Sequence, residues 1–143
     1  ISMKKIIKNK LYDTNTAKSL GCYEPNPYHS DFHWFCETLY QKKTGEFFLH
    51  GDGNAASKYG RSCEQNELSG DEKIIPLTYG EAQEWAENHL DSDDYIAIFG
   101  EPEEDDSKVH VHFYLSSAAH KRAKTEAAKR GVSLGDYIES LIP

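Results

Sequence analysis

The sequence has 143 residues, of which 38% are hydrophobic and 28% are charged, and its formal net charge is −8. This length allows one domain or two small ones, and no apolar run approaches the roughly 18 residues that a membrane helix needs, which argues against a membrane protein. The N-terminal lysines are not followed by the apolar segment of a signal peptide, and the odd number of cysteines (Cys22, Cys36 and Cys63) favours a reducing compartment, so we expect a cytoplasmic protein.

The negative charge is confined to one part of the chain. Residues 1–106 carry 21 acidic and 10 basic side chains, a balance of −11, whereas residues 107–143 carry 3 acidic and 6 basic ones, a balance of +3. An acidic segment repels DNA and a basic one attracts it, so the two parts predict different partners. We therefore expect an acidic domain at 3–100, a linker at 101–107 and a C-terminal domain at 108–143.

The chain begins with short elements. Lys5–Tyr12 predicts a hairpin or a bent strand. Asp13 or Thr14 is suited to cap a short helix over Asn15–Leu20, which Gly21 would end. These patterns indicate the start of a small α+β domain.

A hairpin is predicted next. After an irregular segment rich in proline and tyrosine at Tyr23–Asp31, the apolar patterns of Phe32–Gln41 and Glu46–His50 predict two strands joined by a turn at Lys42–Gly45. The glycine run Gly51–Asn54 ends the second strand. It could also suggest a phosphate-binding loop, but it lacks the Gly-Lys-Ser/Thr ending and the strand–helix context of such loops, so we interpret it as a turn.

The main helix of the acidic domain follows a strand. Ala55–Glu67 predicts a mobile or weakly helical segment, and Lys73–Leu77 predicts the strand. Thr78 and Glu81 have the spacing of a capping box at a helix start. Tyr95–Phe99 predicts a short apolar segment that packs on the domain. The expected buried face of the main helix consists of Ala82, Trp85, Ala86 and Leu90.

One cluster has residue types that bind metals. Its spacing is C-x6-H-x3-H-x2-C, and its members are Cys22, His29, His33 and Cys36. Zinc accepts this ligand set, but the spacing matches no zinc-finger pattern, and the alternative is that these are core or loop residues. We expect no metal and no cofactor.

No arrangement of acid, base and nucleophile is apparent. His33, His50 and His89 are scattered among the carboxylates Asp31, Asp52 and Glu87 without a pattern that links them. We therefore expect a protein that is not an enzyme, with an unrecognised active site as the alternative.

The acidic residues near the boundary suggest a binding surface. The linker is expected to be solvated, and the alternative is a patch that imitates a phosphate backbone or competes for the basic tail. The expected partner-binding carboxylates are Asp91, Asp93, Asp94, Glu101, Glu103, Glu104, Asp105 and Asp106.

The last third of the chain predicts one strand and two helices. From Val109 to Leu115 apolar residues alternate with His110, His112 and Tyr114, which is the period of a strand. Ser116 or Ser117 would cap a helix that ends at Gly131, and Ser133 would cap a second one. A strand and two short helices cannot close a core alone, so we expect two copies to complete each other.

This pattern resembles the ribbon-helix-helix family of DNA-binding dimers, of the Arc and MetJ type. The greatest likeness is to the C-terminal half of HicB-type antitoxins, whose run Leu-x-x-x-x-His-Lys-Arg … Ala-x-x-Gly-x-Ser-Leu-x-x-Tyr-Ile is matched from Leu115 to Ile138. The resemblance covers about a quarter of the chain.

The resemblance implies a homodimer in which two strands pair antiparallel and enter the DNA major groove. It also implies that the start of the second helix, after Ser133, holds a DNA phosphate through the free N–H groups of Leu134 and Gly135. The implied DNA-binding residues are Lys108, His110, His112, Tyr114, Lys121, Arg122, Arg130, Ser133 and Leu134. The implied dimer interface consists of Val109, Val111, Phe113, Leu115, Leu134, Tyr137, Ile138 and Leu141.

The predicted strand differs from the family on the face that would contact DNA, where it carries His110, His112 and Tyr114. Arg, Lys, Asn, Gln and Thr are the usual residues that read bases, whereas two histidines and a tyrosine are weaker and pH-dependent readers. Metal binding by His110 and His112 is an alternative, but two imidazoles without a carboxylate or thiol form an incomplete site.

A second resemblance concerns the acidic domain. The segments MKKIIKNKLYDTNTA and ETLYQKKTGEFFLHGDG are similar to small proteins of bacterial mobile elements, some of them of the anti-CRISPR type. This likeness implies that the acidic domain inhibits a nucleic-acid-handling effector such as a Cas nuclease. The alternative is a HicB-like antitoxin and autorepressor that neutralises a cognate toxin. Such an antitoxin would have an RNase-H-like strand meander ahead of the tail, and the sequence does not predict that pattern.

Overall fold

The computed structural model describes residues 2–64, 67–102, 104, 107 and 109–143. The chain divides into a first unit, Ile1–Val109, and a second unit, His110–Pro143. Antiparallel sheets and helices both occur, so the predicted α+β class is confirmed. In the part of the chain that the structure describes, the elements are β1 (Lys4–Ile7), β2 (Lys10–Asp13), β3 (Lys18–Tyr23), β4 (Phe35–Gln41), β5 (Phe47–Gly53), β6 (Arg61–Ser62), β7 (Leu68–Ser69), β8 (Asp71–Leu77), α1 (Tyr79–His89), α2 (Ser92–Phe99), α3 (Ser117–Arg130) and α4 (Leu134–Ser140).

The first unit contains a four-stranded antiparallel sheet in the order β3-β4-β5-β8. The register is continuous at its centre, where Leu39 pairs with Leu49 and Leu49 pairs with Ile75. Pro76 lies in β8, an edge strand, where a missing backbone N–H is tolerated. These four strands form an antiparallel sheet that precedes the second unit in the sequence.

A separate hairpin precedes the sheet, as the sequence predicts. Its strands β1 and β2 pair antiparallel from Lys4 and Asp13 to Ile7 and Lys10. Lys8 and Asn9 connect them with positive φ angles of 49° and 65°, the conformation of a type I′ turn.

One face of the sheet packs on α1. Phe47 and Leu49 of β5 and Leu39 of β4 point to this face, where they form a buried cluster with the α1 side chains. The predicted buried face of α1 is confirmed at Ala82, Trp85 and Ala86, and Leu90 packs against the same cluster as a half-buried residue. The predicted capping box is also present.

The other face of the sheet packs on the N-terminal hairpin. Side chains alternate along a strand, so Phe48 points away from α1 and is fully buried against Tyr12 and Ile74. The rings of Phe48 and Tyr40 stack with centroids 5.2 Å apart, and Tyr12 meets Phe48 edge-on at 5.4 Å. The first unit therefore has one core on each face of its sheet.

The predicted helix over Asn15–Leu20 is wrong. The Asp13 carboxylate accepts a hydrogen bond from the Asn15 N–H at 2.9 Å, which closes a turn instead of starting a helix. The chain then enters β3, which pairs with β4 and includes Gly21 as a strand residue. Cross-strand pairing thus outweighs the local cap signal.

Two strand boundaries also differ from the prediction. The strand expected from Phe32 begins at Phe35, because Asp31 is the acceptor in a turn before it, with its carbonyl bonded to the Trp34 N–H at 3.0 Å. The strand predicted over Glu46–His50 runs from Phe47 to Gly53, so β5 includes Gly51 and ends at Gly53, within the glycine run. The apolar segment Tyr95–Phe99 lies in the helix α2.

The segment Ala55–Glu67, expected to be mobile or weakly helical, contains a turn and the short strand β6, and its residues Gln65 and Asn66 lie outside the described part. The turn is packed on the sheet, because the Tyr59 ring lies directly over Gly51 of β5. A Cβ atom on Gly51 would be 2.0 Å from Tyr59 Cζ, so the absence of a side chain at residue 51 creates the space that the ring occupies.

We expect Gly51→Ala to lower the free energy of unfolding by about 1–3 kcal/mol, the usual cost of overpacking, because the Tyr59 ring must move. Urea unfolding monitored by tryptophan fluorescence measures this change. Gly80→Ala is the matched control, since a Cβ on Gly80 has no atom within 4 Å and alanine favours the α1 helix. A Gly51→Ala protein as stable as the control would contradict the packing of Tyr59.

Candidate functional site

The two helices of the second unit begin where the sequence predicts, and the first of them also ends there. The Ser116 hydroxyl accepts a hydrogen bond from the Ala119 N–H at 3.2 Å at the start of α3. Gly131 ends α3 in the left-handed conformation, with φ 65°. Ser133 caps α4 by accepting from the Asp136 N–H at 3.0 Å.

The start of α4 is less suited to a phosphate than the resemblance implies. The hydroxyl of Ser133 is already bonded to the Asp136 N–H, and the Asp136 carboxylate adds a negative charge to the first turn. That charge would repel a phosphate near Leu134. A phosphate contact at Ser133 and Leu134 stays a prediction.

An apolar groove lies on the second unit. It has a volume of about 660 Å³ and contains five of the predicted dimer-interface residues. Phe113 is 51% exposed and Leu141 is 59% exposed, although both line the groove. The apolar residues that line it are Phe113, Leu115, Ala119, Ala123, Tyr137, Ile138 and Leu141.

The predicted strand Val109–Leu115 is not a strand in the single chain. It has no regular secondary structure and pairs with no strand of the described residues. Its two faces are nevertheless distinct, because Phe113 and Leu115 line the groove while the rings of His112 and Tyr114 meet edge to face at 5.2 Å. Pairing with a second copy, which the predicted strand requires, stays a prediction.

The remaining predicted interface residues differ in exposure. Val109 is 84% exposed and Val111 is also exposed, whereas Leu134 is half-buried in α4. In the described residues of the second unit, Ala127 alone is buried. A unit of this size rarely buries enough apolar surface to be stable without a metal, disulfides or a partner chain.

The predicted DNA-binding cations lie on the helices of the second unit. Lys121 and Arg122 border the groove, and the Arg130 guanidinium lies over the Tyr137 ring, 5.0 Å from its centroid. This contact orients Arg130 without neutralising its charge. Lys108 lies outside the described residues.

The predicted partner-binding carboxylates that the structure describes are all exposed. Asp91 caps α2 by accepting from the Asp94 N–H at 2.8 Å, and Asp93 and Asp94 lie in the first turn, where negative charge stabilises a helix. Glu101 and Glu104 are exposed beyond α2. Glu103, Asp105 and Asp106 lie outside the described residues.

A buried carboxylate in the first unit was not predicted. Glu37 of β4 is 3% exposed and accepts hydrogen bonds from the Tyr59 hydroxyl, from Lys58 Nζ at 2.9 Å and from Trp85 Nε1 at 3.2 Å. Burial raises the pKa of Glu37, but these three donors and the Lys58 charge outweigh it and hold the pKa below its ordinary value of 4.5. Burial and the bond to Glu37 raise the pKa of Tyr59.

The Glu37 network is better explained as a structural feature than as an active site. Its carboxylate has a donor on each oxygen and is closed to solvent, so a substrate cannot reach it. The sequence signal was the position of Glu37 between Phe35 and Leu39, which share its face of β4. No comparable signal marked Tyr59, which reaches this face from a turn.

The zinc alternative receives no support from the described residues. Cys22 and Cys36 bring their sulfur atoms together, but His29 stacks on Trp34 with ring centroids 4.6 Å apart, and His33 lies 3.3 Å from Asp31. Across the ranges that the structure covers, no three His, Cys, Asp or Glu side chains are grouped so that they could hold a metal ion.

Comparisons with known proteins add no assignment. No family model matches the chain, and neither a curated protein nor a solved structure matches it. Among the described residues, no helix combines the length and the apolar composition needed to cross a membrane.

We expect Glu37→Gln to lower the free energy of unfolding by about 1–3 kcal/mol at pH 7, because one of the three donors then faces an amide N–H₂ group in the interior. The lowered pKa of Glu37 also means that its carboxylate stabilises the fold above pH 4.5, and that this stabilisation is lost as the pH falls through the folded-state pKa. The unsubstituted protein should therefore lose stability below pH 4.5 more steeply than Glu37→Gln. Urea unfolding at several pH values measures both effects.

Glu84→Gln is the control for this comparison, since Glu84 is exposed on α1. Equal stability of the Glu37→Gln and Glu84→Gln proteins at pH 7, with parallel pH profiles, would contradict a stabilising role of the buried carboxylate.

Proposed function

We propose that the protein is a non-catalytic homodimer in which the second unit dimerises and binds DNA, while the acidic first unit binds a protein partner. The observation that supports this proposal best is the uncovered apolar groove of the second unit. Two of its lining side chains, Phe113 and Leu141, are more than half exposed in the single chain, and Leu115 is 45% exposed. A partner must cover them for the unit to gain the burial that stabilises a fold.

A second copy of the same unit is the partner that fits this surface. A two-fold dimer uses one patch twice, so each apolar residue of the groove would meet the groove of the other copy. The segment Val109–Leu115 would pair with its copy as an antiparallel ribbon, with Phe113 and Leu115 facing the shared core.

DNA is the proposed ligand of the opposite face of this ribbon. His110, His112 and Tyr114 alternate with the groove-facing residues, and pairing of two copies would place both sets on one outer surface. Lys121, Arg122, Lys129 and Arg130 would contact phosphates without reading the sequence. The positive balance of residues 107–143 supports this assignment.

For the first unit, the proposed partner is an effector that handles nucleic acids, such as a Cas nuclease. The net charge of this part is strongly negative, and the described carboxylates Asp91, Asp93, Asp94, Glu101 and Glu104 are exposed. A surface of this kind can occupy the positively charged groove in which an effector holds DNA. Inhibition of DNA cleavage by such nucleases in vitro tests this assignment.

A HicB-like antitoxin and autorepressor is the second candidate, and the sheet of the first unit is the observation that favours it. A HicB-type chain would have an RNase-H-like strand meander ahead of its tail, and here the antiparallel strands β3, β4, β5 and β8 precede the second unit in the sequence. Neutralisation of a toxin encoded by the adjacent gene would support this candidate. No effect on any toxin, together with inhibition of a Cas nuclease, would exclude it.

We expect the full chain to sediment as a dimer and the double variant Phe113→Ser/Leu141→Ser to sediment as a monomer, because both side chains line the groove that the second copy covers. A chain truncated before Ser107 should also be monomeric. Analytical ultracentrifugation over a range of concentrations measures these states.

Ile6→Ser is the matched control, since Ile6 is a highly exposed apolar residue of β1 in the first unit, and it should leave the dimer unchanged. A truncated chain that still sediments as a dimer would contradict the proposed interface.

We expect DNA affinity to fall steeply with salt, and Arg130→Ala to reduce the slope of log K against log salt by about one charge for each subunit that contacts DNA. Fluorescence anisotropy titrations at several salt concentrations measure the slope. Arg61→Ala, at an exposed arginine of β6, should leave it unchanged. Affinity independent of salt would contradict DNA binding through these cations.

A further inference from the structure

Two cysteines of the first unit lie next to each other on adjacent strands. Cys22 of β3 pairs with Thr38 of β4 in the antiparallel register, and Cys36 lies two residues before Thr38 on the same strand. Side chains two residues apart share a face, so Cys36 and Cys22 point to the same side of the sheet. Their sulfur atoms are 3.0 Å apart, and both cysteines are free.

We propose that Cys22 and Cys36 form a redox modification site, which a low-molecular-weight disulfide such as glutathione disulfide converts to a cross-strand disulfide. The sulfur atoms are already in contact, so the bond requires little movement of the paired strands. Cys63 follows β6 in another part of the first unit and is not a member of this pair. The site does not depend on the proposed dimer or on DNA binding.

The reaction consists of two successive thiol–disulfide exchanges. The Cys22 thiolate attacks one sulfur of the small disulfide, which forms a mixed disulfide and releases one small thiol. The Cys36 sulfur then loses its proton and attacks the Cys22 sulfur, so that the Cys22–Cys36 bond forms and a second small thiol leaves. The two protein thiols are oxidised, the small disulfide is reduced, and both protons end on the two small thiols.

The environments of the two thiols indicate this order. Cys22 is exposed, whereas Cys36 is half-buried. Burial, the hydrogen bond with Cys22 and the nearby Cys22 charge raise the pKa of Cys36 to about 12. Cys36 therefore remains a protonated thiol until the mixed disulfide forms beside it, and Cys22 is the thiol that meets the oxidant first.

The disulfide would close the base of the connection between β3 and β4. This connection contains Tyr28 and Phe32, each 72% exposed, and Asn54 holds it by donating hydrogen bonds to the carbonyls of His29 and Asp31 at 2.6 and 2.8 Å. In the loop-entropy model, a disulfide that closes a loop of about 15 residues lowers the unfolded population by a factor on the order of a hundred. Oxidation should therefore fix the edge strand β3 and stabilise the first unit.

The test uses the full chain with Cys63→Ser, equilibrated in buffers with different ratios of reduced to oxidised glutathione. We expect the mass to fall by the two hydrogens that oxidation removes, with the loss located in the tryptic peptide 19–42, which contains both cysteines. The urea midpoint of the oxidised form should rise accordingly, and excess reductant should reverse both changes.

Single variants on the same background distinguish the two thiols. Cys36→Ser should accumulate one glutathione adduct at Cys22, whereas Cys22→Ser should react much more slowly at Cys36. Peptide mapping of the unsubstituted chain gives the same answer if Cys63→Ser does not fold. Two glutathione adducts on peptide 19–42 without an internal disulfide, or thiols that stay reduced in fully oxidised glutathione, would overturn the proposal.

Discussion

The central strand β5 contributes buried side chains to both cores of the first unit. Because side chains alternate along a strand, Phe47 and Leu49 pack on the α1 side, while Phe48 between them packs on the N-terminal hairpin. A one-residue slip of β5 would exchange these faces and expose both cores, so the register with β4 and β8 is strongly specified. The same strand then continues through Gly51 and Gly53, whose lack of side chains lets the following turn pack back on the sheet.

Tyr59, in the turn after β5, donates a hydrogen bond to the buried Glu37 carboxylate of the sheet. Glu37 pairs with Gly51 across β4 and β5, and the space over Gly51 admits the Tyr59 ring that bonds to the Glu37 carboxylate. A buried carboxylate without donors would be costly, and here Trp85 and Lys58 complete its bonding. The turn, the sheet and α1 are therefore joined through one side chain.

The sequence predicted the elements whose signals are local. The Thr78–Glu81 capping box and the caps of α3 and α4 all depend on residues within one or two turns, and the structure confirms them. The helix predicted over Asn15–Leu20 failed because pairing of β3 with a distant strand decided its conformation. For the same reason, neither the Tyr59–Glu37 bond nor the contact of Cys22 with Cys36 could be predicted, since each joins residues that only the sheet register and the packed turn bring together.

The charge division constrains how the proposed dimer can bind DNA. Each subunit carries a formal charge of −8, so attraction to DNA must arise locally from the cations of the second unit. At physiological ionic strength the Debye length is about 8 Å, so Arg122 and Arg130 can attract phosphates that they contact while more distant carboxylates are largely screened. Low salt removes this screening. It therefore strengthens both the attraction between DNA and the cations of the second unit and the repulsion between DNA and the carboxylates of the first unit. At low salt, a basic protein bound to the first unit would neutralise that repulsion, so the proposed partner binding and DNA binding would favour each other through charge alone, without a conformational change.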